Sequence, residues 1–412
     1  MEDVSAAPDS TLQRSWPDRP LRVLQVAAVL DSGGVERWLV DLCQAGSAEN
    51  LSMDIAVLME TNGLFAKAAR ERGITVYHCS GRENPFKFVG NLRRLIREHG
   101  PYDAIHCHIH AFSAFAVLAA RLEGVPVRMV HSHNVVKNST QSWRRRGYIL
   151  FARALLRIFA TAGFAASAVA AEDLFGSNWR ADSRWNVLPC GIDLTPFRVP
   201  IAATSSRTAL GIPQDAFVLG SVGRLTHEKN SDFLVDVLSE VLRHRDDAYL
   251  LLIGEGALRE ELELKAQKGG FSDRLLLPGA RPDVPALMRN VMDVFVFPSP
   301  PPPRGNEALP FAMVEAQAAG LPILASDGVP AEAILVRDLV LQIAADLTPE
   351  KWARAVIEHA RHRVPGAARK ALAVIERSHH NCLVNMKVLA ALYRNANLSP
   401  RTAILEHTQP SN

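Results

Sequence analysis

The chain has 412 residues, of which 48% are hydrophobic and 22% charged, and its formal net charge is +3. At about 100–200 residues per domain, this length predicts two domains, each able to bury a core without disulfides or a structural metal. The ordinary composition excludes collagen-like, intrinsically disordered and disulfide-scaffold proteins, and the small net charge argues against nucleic-acid binding as the main activity.

The two ends of the chain lack the features of folded or membrane-inserted segments. Residues 1–20 carry Glu2, Asp3 and Asp9 among prolines, so we expect a disordered lead-in and not a signal or transit peptide. Residues 399–412 are expected to form a loose tail. No apolar run of about 18 residues occurs, which predicts that no segment spans a membrane. The five scattered cysteines contain no Cys-x-x-Cys pair and favour a reducing, cytoplasmic setting.

Short apolar runs alternate with segments of helical periodicity in the first half of the chain. The predicted strands are Leu21–Leu30, Met53–Leu58, Thr75–Tyr77, Ala104–Cys107 and Val127–His131, and the predicted helices are Val35–Ala45, Leu64–Glu71, Phe88–His99 and Ser113–Leu122. This alternation predicts crossover connections and a parallel sheet that is covered on both faces.

A second series of strands and helices begins near residue 216. Its predicted strands are Phe217–Val222, Ala248–Ile253, Leu275–Leu277, Val294–Phe297 and Pro322–Ala325, and its predicted helices are Asn230–His244, Ala257–Lys268, Val284–Arg289, one from Phe311, and Thr348–His362. We therefore expect an α/β protein with two doubly wound domains, at 21–195 and 214–380, joined by a linker at 196–213. In such sheets ligands bind at the carboxyl ends of the strands, which here would face each other across a cleft.

The first glycine-rich turn, Asp31–Glu36, directly follows the opening strand. Gly33 and Gly34 would let the backbone approach a ligand closely, and the N-terminus of the next helix favours anions. The turn lacks the Gly-x-Gly-x-x-Gly fingerprint of dinucleotide-binding folds. A tight turn that uses glycine for its geometry alone explains the pattern equally well.

Six polar residues cluster at the ends of two predicted strands, namely His106, His108, His110, His131, His133 and Asn134. Histidines two residues apart on a strand share one face, as metal ligands can, but no carboxylate or cysteine set near them in the sequence completes a metal site. Satisfied core or cleft-wall histidines are the favoured interpretation. A histidine at the end of a strand could instead position a substrate hydroxyl.

Turns of the second half carry basic residues and glycines. In residues 223–230, the guanidinium of Arg224 and the ammonium of Lys229 together suit a diphosphate, although a structural salt bridge is the alternative. The glycines of Gly254–Gly256 and Gly279 would contact a nucleotide or simply serve turn geometry.

Two glutamates, Glu307 and Glu315, lie on either side of Pro310, which suits the first turn of a helix. If both were helical, their carboxylates would be separated by about 12 Å. That distance is too long for the paired carboxylates of a glycosidase, but it suits two contacts with one elongated ligand.

Taken in order, these motifs resemble the family 4 retaining glycosyltransferases of the GT-B fold. The matching segments are Gly33–Arg37, Val130–Asn134, Pro189–Asp193, Gly223–Arg224 with Lys229, Glu307 with Glu315, and Ala319–Ser326. The His-Ser-His-Asn segment is most similar to the capsule and exopolysaccharide branch. The resemblance implies two Rossmann-like domains facing across a cleft, with a last helix, 381–398, that returns to the first domain.

The resemblance also implies an activity and its substrates. A sugar would pass, with retention, from a nucleotide-sugar donor (a UDP- or GDP-sugar) to a saccharide or polyprenyl-linked acceptor in cell-surface polysaccharide biosynthesis. The second domain would bind the donor and the first would admit the acceptor. Such enzymes use no metal and no other cofactor, because cationic side chains and a helix N-terminus offset the charge of the leaving diphosphate.

Carried over by position, the resemblance assigns roles to individual residues. Arg224 and Lys229 would hold the diphosphate, and Glu315 would accept hydrogen bonds from the ribose. The catalytic positions are His131, matching the family's active-site histidine, and Glu307, which would engage the transferred sugar. The remaining assignments are Gly34 and Leu309 at the donor site, and His108, His133 and Asn134 on the acceptor side.

Three departures from the family pattern accompany these matches. Cys190 stands where asparagine is usual, and Ala308 stands where glycine is common. Pro298 and the run Pro300–Pro303 lengthen and stiffen the loop before Glu307. None of them removes a charged group, so the enzyme interpretation is kept.

The segment Trp143–Phe159 combines basic and apolar side chains in one predicted helix. It contains Arg144, Arg145, Arg146, Arg153 and Arg157 together with Trp143, Tyr148, Ile149, Phe151, Leu155, Leu156 and Phe159. Such a helix suits an anionic bilayer, which would place a cytoplasmic protein on the inner face of the membrane. Packing against the first sheet explains the pattern equally well.

Two other functions fit the same two-domain plan. A sugar-nucleotide epimerase or hydrolase would bind the donor without needing an acceptor. A non-catalytic nucleotide-sugar-binding subunit is favoured by Cys190, Ala308 and the proline-rich loop. A nicotinamide dehydrogenase is disfavoured, because neither strand-to-helix turn carries the dinucleotide fingerprint.

Overall fold

The chain forms two parallel β-sheets flanked by helices, and the predicted α/β class with two doubly wound domains is confirmed. The computed structural model describes residues 19–31, 33–60, 63–136, 142–199, 207–300, 307–362 and 366–408. Central strands of both sheets are buried along their whole length, as expected when helices cover both faces.

The first domain has seven parallel strands in the order β3-β2-β1-β4-β5-β6-β7. The strands are β1 (Leu21–Ala27), β2 (Leu51–Val57), β3 (Val76–His78), β4 (Ala104–Cys107), β5 (Val127–Ser132), β6 (Ala162–Ala165) and β7 (Trp185–Val187). The helices are α1 (Gly34–Gly46), α2 (Leu64–Glu71), α3 (Pro85–His99), α4 (Ser113–Leu122), α5 (Trp143–Phe159) and α6 (Ala168–Phe175). The order reverses between β1 and β4, which is the kind of position where doubly wound sheets bind ligands.

The second domain has six parallel strands in the order β10-β9-β8-β11-β12-β13. The strands are β8 (Phe217–Val222), β9 (Ala248–Ile253), β10 (Leu275–Leu276), β11 (Val294–Phe297), β12 (Ile323–Ser326) and β13 (Val340–Ile343). After α7 (Thr195–Arg198), the helices are α8 (Ser231–Leu242), α9 (Arg259–Gly269), α10 (Val284–Asn290), α11 (Phe311–Ala318), α12 (Pro349–Ala360) and α13 (Ala367–Glu376).

Local sequence signals define several helix starts. Asn84 caps α3 by accepting hydrogen bonds from the backbone N–H groups of Phe86 and Lys87, and Pro85 occupies the first helical position. Ser142 and Ser167 cap α5 and α6 in the same way. A short polar side chain before the apolar repeat therefore fixes where these helices begin.

The C-terminal helices lie against the first domain. Helix α14 (Cys382–Arg394) packs on α1, and the Asn385 carbonyl oxygen accepts a hydrogen bond of 3.3 Å from the Trp38 indole. Tyr393, fully buried, contacts Gln25 of β1. The chain thus crosses between the domains twice.

The structure corrects the prediction for the end of the chain. Residues Pro400–Thr408 form a helix, α15, which packs on α14 and β7, so the expected loose tail is wrong for these residues. Residues 409–412, and residues 1–18 of the expected lead-in, lie outside the described residues. In the expected linker, Arg207 is buried and donates hydrogen bonds to the Val291 carbonyl and to Asp293, so this position packs with the second domain.

Candidate active site

The glycine turn after β1 meets the second domain directly. A Cβ atom added at Gly34 would lie 2.7 Å from the side chain of Phe311, the first residue of α11. The backbone of Gly34 has no positive φ, so turn geometry is not the reason for glycine here. Glycine at this position permits the close approach of the two domains across the cleft.

One turn further along α1, Arg37 reaches across the cleft to Glu315. Its Nη1 lies 3.2 Å from Glu315 Oε1, and its Nε lies 3.7 Å from Asp41 Oδ2 on its own helix. Glu315 is only 8% exposed. Burial raises the pKa of Glu315, and the guanidinium of Arg37 opposes that shift.

A second ion pair joins Lys229, a predicted donor-binding residue, to Glu307, a predicted catalytic residue. The Lys229 ammonium contacts the Glu307 carboxylate, and it also lies 5.8 Å from the centre of the Phe297 ring. Burial lowers the pKa of Lys229 to about 8, and nearby Arg224 acts in the same direction. The backbone of Glu307 forms an isolated antiparallel bridge with Asn134 of the first domain, so this pair also sits where the domains touch.

Arg224 lies on the same turn but remains exposed. It pairs with Glu228 at 3.3 Å, a contact between two solvent-facing side chains. Its charge also acts on Glu36 of the first domain, whose pKa is raised chiefly by burial and lowered in part by Arg224. Because an exposed ion pair contributes little free energy, Arg224 can exchange Glu228 for another anionic partner at small cost.

Backbone packing explains the glycines of the neighbouring turns. Gly254 has a φ of 145°, and a Cβ atom there would collide with the Gly223 carbonyl. At Gly256 it would collide with the backbone of Leu225. These glycines let the turns after β8 and β9 pack against each other, which is the turn-geometry interpretation.

The two predicted glutamates do not share a helix. Glu307 precedes α11, which begins at Phe311 directly after Pro310, whereas Glu315 lies within it. Leu309 and Ala308 are buried in the connecting loop. Of the proline-rich run, residues 301–303 lie outside the described residues, and Pro298 accepts a hydrogen bond of 3.1 Å from Asn230.

Four of the predicted histidines form one buried cluster, and three of them contact the ring of Trp38. His106, His108, His131 and His133 lie on or just after β4 and β5, and the rings of His131 and His133 are 4.3 Å apart. Burial lowers the pKa of His131 to about 3 and those of the other three well below their ordinary value, so all four are neutral near pH 7. His110 lies apart, at 3.1 Å from Asp173.

Cys190 completes this cluster, a role that sequence analysis missed. Its Sγ lies 3.2 Å from His133 Nδ1, although the two residues are 57 positions apart. The available signal was the Pro-x-Gly-Ile-Asp segment, in which Cys190 had been noted only as a departure from the family. His131, at 0% exposure, lies deeper than His133 and bonds through Nε2 to the Leu188 carbonyl at 2.9 Å.

Helix α5 exposes an apolar stripe. Trp143, Leu150 and Ile158 are 77%, 64% and 68% exposed, and their spacing of seven and eight residues places them on one side of the helix. Its opposite side packs through Ala152 and Leu156. In the described part of the chain, no helix is both long and apolar enough to cross a membrane.

The chain matches family models along both domains. Residues 32–196 match glycosyltransferase family 4, and residues 203–371 match the glycosyl transferases group 1. EpsF of Bacillus subtilis (strain 168), a protein named as a glycosyltransferase, is 32% identical over 338 residues, covering 81% of this chain and 86% of the relative. An Escherichia coli UDP-Gal:alpha-D-GlcNAc-diphosphoundecaprenol alpha-1,3-galactosyltransferase is 29% identical over 249 residues, 58% of this chain and 62% of the relative.

Solved structures of similar shape share the two-domain fold. Anabaena HepE, solved in complex with UDP, superposes with a TM-score of 0.73 at 20% identity, covering 90% of this chain and 98% of that one. The lipopolysaccharide-biosynthesis glycosyltransferase WaaG superposes with a TM-score of 0.65 at 18% identity, covering 90% and 99%. The chain therefore has the GT-B fold and belongs to the group 1 and family 4 glycosyltransferases.

Proposed function

We propose that this glycosyltransferase moves a sugar, with retention of anomeric configuration, from a UDP-sugar to a saccharide or polyprenyl-linked acceptor during assembly of a cell-surface polysaccharide. The observation that carries the proposal is that the ion pairs Lys229–Glu307 and Arg37–Glu315 both lie where the two domains touch. These pairs supply a cation for a diphosphate and two carboxylates for hydroxyl groups.

Binding of the donor would redistribute the ion pairs of the cleft. We assign the diphosphate to Lys229 and Arg224, so Lys229 leaves Glu307, whose carboxylate then accepts hydrogen bonds from the transferred sugar. Glu315 accepts hydrogen bonds from the ribose while Arg37 keeps it ionised. Helix α11 begins beside Leu309, and none of the described side chains caps it, so its first N–H groups suit an anionic oxygen.

UDP is the favoured nucleotide. HepE was solved with UDP-glucose, and the Escherichia coli relative is named for UDP-Gal. The same relative acts on a diphosphoundecaprenol-linked sugar, which supports a lipid-linked acceptor here. EpsF, the relative with 32% identity, supports sugar transfer as the activity of this chain. A GDP-sugar is the alternative that a donor screen would test.

The chemistry needs no group beyond the chain and its substrates. The acceptor oxygen forms a bond to the anomeric carbon on the face from which the diphosphate departs, and the acceptor proton passes to the leaving diphosphate oxygen. Arg224, Lys229 and the N-terminus of α11 stabilise the charge that develops on UDP. We accordingly expect transfer without Mg²⁺.

The acceptor would enter from the first domain. Asn134 is exposed and pairs with the backbone of Glu307, and His133 lies just behind it, with His108 bonded to His133 at 2.9 Å. Because His131 and His133 are both buried behind the exposed Asn134, we assign contact with the acceptor to Asn134 and supporting positions to the two histidines.

Helix α5 would hold the protein at an anionic membrane. Arg144, Arg146 and Arg157 are exposed beside the stripe of Trp143, Leu150 and Ile158. An exposed apolar stripe between arginines suits the boundary between headgroups and acyl chains. Such contact would bring the cleft to a polyprenyl-linked acceptor.

Donor and acceptor screens test this proposal on the full chain. UDP- and GDP-sugars are first compared by the rise in Tm that each gives, and the best donor is then incubated with a polyprenyl diphosphate-linked sugar, with and without Mg²⁺. We expect a UDP-sugar to bind, an acceptor-dependent product with the donor's anomeric configuration by NMR, and equal rates with and without Mg²⁺. Lys229→Ala should abolish transfer, whereas Lys265→Ala, in a salt bridge to Asp236 on α8, should leave it intact.

Other outcomes assign one of the alternative functions. Loss of donor at equal rates with and without acceptor would indicate a hydrolase or epimerase. Donor binding without turnover on any acceptor would indicate a non-catalytic subunit. An inverted product would overturn retention, and an absolute requirement for Mg²⁺ would overturn the metal-free diphosphate site.

A further inference from the structure

In the first domain, the end of β5 and the loop after β7 bring together side chains of the types that bind transition metals. His131 lies at the end of β5, His133 directly after it, and Cys190 in the loop after β7. One possible ligand atom of each residue lies within 4.8 Å of those of the other two, and all three side chains are buried. The proposed transfer gives no role to the Cys190 thiol.

The hydrogen-bond network fixes which ring nitrogen of His133 carries the proton and which keeps its lone pair. The Gln25 amide nitrogen donates to the Tyr393 hydroxyl, so the Gln25 oxygen accepts from His108 Nε2 at 2.9 Å. His108 Nδ1 must then accept the proton of His133 Nε2, also at 2.9 Å. The lone pair of His133 Nδ1 is left facing Cys190 Sγ at 3.2 Å.

In His131, too, Nε2 carries the proton and Nδ1 keeps the lone pair, here because of a contact with a backbone carbonyl. Its Nε2 lies 2.9 Å from the Leu188 carbonyl, which can only accept, so this nitrogen carries the proton. The lone pair is therefore on Nδ1, which is buried and has no hydrogen-bond partner among the described residues. A buried acceptor without a partner is uncommon, and a bound ion is one way to satisfy it.

From this geometry we propose that His131 Nδ1, His133 Nδ1 and the Cys190 thiolate bind one zinc-class divalent ion. On binding, the Cys190 proton passes to solvent and the two neutral imidazoles keep their outer protons. Two imidazoles and one thiolate suit Zn²⁺ or Co²⁺, whereas Mg²⁺ and Ca²⁺ prefer oxygen ligands that this set does not offer. Metal-bound histidines normally donate their second N–H to a carbonyl or a similar acceptor, as both do here.

His106 lies next to His131 but outside the set of three proposed ligands. Its possible ligand atom lies within 4.8 Å of those of His108 and His131, and its Nε2 is buried without a partner among the described residues. Its Nδ1 lies 2.7 Å from the Tyr393 hydroxyl, which can donate as well as accept. All three proposed ligands belong to the first domain, and neither Arg224 nor Lys229 is among them, so metal binding can be measured without donor or acceptor.

Cobalt titration of the full chain, with any histidine tag removed, tests the site in the absence of donor and acceptor. We expect one Co²⁺ per chain, a thiolate-to-cobalt charge-transfer band, and displacement by Zn²⁺ but not by Mg²⁺. Cys190→Ser should abolish the band and weaken binding at least tenfold. Cys79→Ser, which changes a buried cysteine after β3, should leave both unchanged.

A thermal measurement separates loss of the site from loss of the fold. Zn²⁺ should raise the Tm of the wild-type protein and of Cys79→Ser, but not that of Cys190→Ser or His133→Asn, both with native circular dichroism. The proposal is overturned if no stoichiometric ion binds, or if the charge-transfer band persists in Cys190→Ser. It is overturned equally if both ligand variants bind Co²⁺ as tightly as the wild type.

Discussion

Charged residues of the cleft are already paired before a substrate arrives. Lys229 contacts Glu307, and Arg37 contacts Glu315 at 3.2 Å. Pairing keeps these half-buried charges from being left alone in a region of low dielectric. Under the proposed assignment, the donor must therefore compete with Glu307 for Lys229, whereas Glu315 would stay bound to Arg37 when it accepts the ribose.

Glu307→Gln is expected to separate nucleotide binding from sugar transfer. Removing the carboxylate frees Lys229 for the diphosphate, so UDP should bind roughly tenfold more tightly. Transfer should fall, because a contact to the sugar hydroxyls is lost. Calorimetry with UDP and a transfer assay with the UDP-sugar measure the two effects. Glu315→Gln is the matched control and should weaken UDP binding; weaker UDP binding in Glu307→Gln would contradict the assignment.

The buried histidines predict a loss of stability in mild acid. The pKa of His131 is about 3 in the folded chain, against an ordinary value of 6.5. Between these values the unfolded chain binds a proton that the folded chain does not, so stability falls as pH decreases below 6.5, by about 1.4 kcal/mol per pH unit. His106, His108 and His133 act in the same direction.

Urea unfolding in chelator-treated buffer at pH 7.5 and 5.5 measures this dependence. The wild-type protein should lose more stability than His131 alone accounts for. The variant His131→Asn should show a shallower dependence on pH. Equal stability of the wild type at the two pH values would contradict the neutral, buried state of the cluster.

Single residues were predictable where a local motif defined them and unpredictable where the fold brought them together. The predicted places of Lys229 in a turn after a strand and of Glu315 in a helix are confirmed. The contact of Cys190 with His133 depends on the pairing of β5, β6 and β7, which lies beyond local sequence patterns. Gly34 lies against Phe311 of the other domain, so the reason for glycine at this position could not be predicted from the local sequence either.

At the scale of elements, the predicted helices and strands agreed with the structure where the apolar repeat in the sequence was clear. Helices α2, α4 and α5 run over the predicted residues, because their apolar repeats are local signals. Strands β6, β7 and β13 were missed, since β6 (Ala-Gly-Phe-Ala) lacks β-branched residues and β7 and β13 are edge strands that are only partly buried. Glu307 lies outside α11 because the residue before a proline disfavours the helical region, so the helix begins only after Pro310.

Helix α5 carries the prediction that belongs to this scale. Replacing Arg144, Arg145 and Arg146 by serine should weaken binding to anionic vesicles by about 3 kcal/mol, because each basic residue near such a surface contributes about 1 kcal/mol. Co-sedimentation with phosphatidylserine-containing and neutral vesicles measures the loss. Serine at Lys351, Arg354 and Arg361, which are exposed on or next to α12, is the control.

The apolar stripe of α5 gives a second measurement on the same vesicles. Ile158→Ser should weaken binding to anionic and neutral vesicles alike, because it removes apolar area that would be buried in the membrane and removes no charge. If the arginine variant and the control bind equally well, the helix makes no electrostatic contact with the membrane, and packing within the domain explains its composition.

For the whole molecule, the number and class of the domains were predictable, but their mutual contacts were not. Alternating strands and helices define two parallel sheets, since parallel pairing requires crossovers. The contacts between domains join distant parts of the chain: Gly34 with Phe311, Arg37 with Glu315, Asn134 with Glu307, and Ala168 with Glu332. These four contacts hold the facing sides of the two domains next to each other across the cleft.

Gly34→Ala tests whether this closure is needed for donor binding. The added methyl group would lie 2.7 Å from the Phe311 ring, closer than packed carbon atoms allow, so the domains must separate or the ring must move. We expect donor affinity to fall roughly tenfold, about 1.4 kcal/mol, with a larger radius of gyration by small-angle scattering. Gly90→Ala, on α3 with no atom within 4 Å of the added carbon, should change neither quantity.

The double variant distinguishes a contact between the domains from a local defect in the turn. Phe311→Ala removes the ring that the new methyl group would meet, so combining it with Gly34→Ala should restore most of the donor affinity and the compact shape. If the turn itself required glycine, Phe311→Ala would give no rescue. Because the backbone of Gly34 has no positive φ, alanine fits the turn, and the rescue should follow from relief of the contact alone.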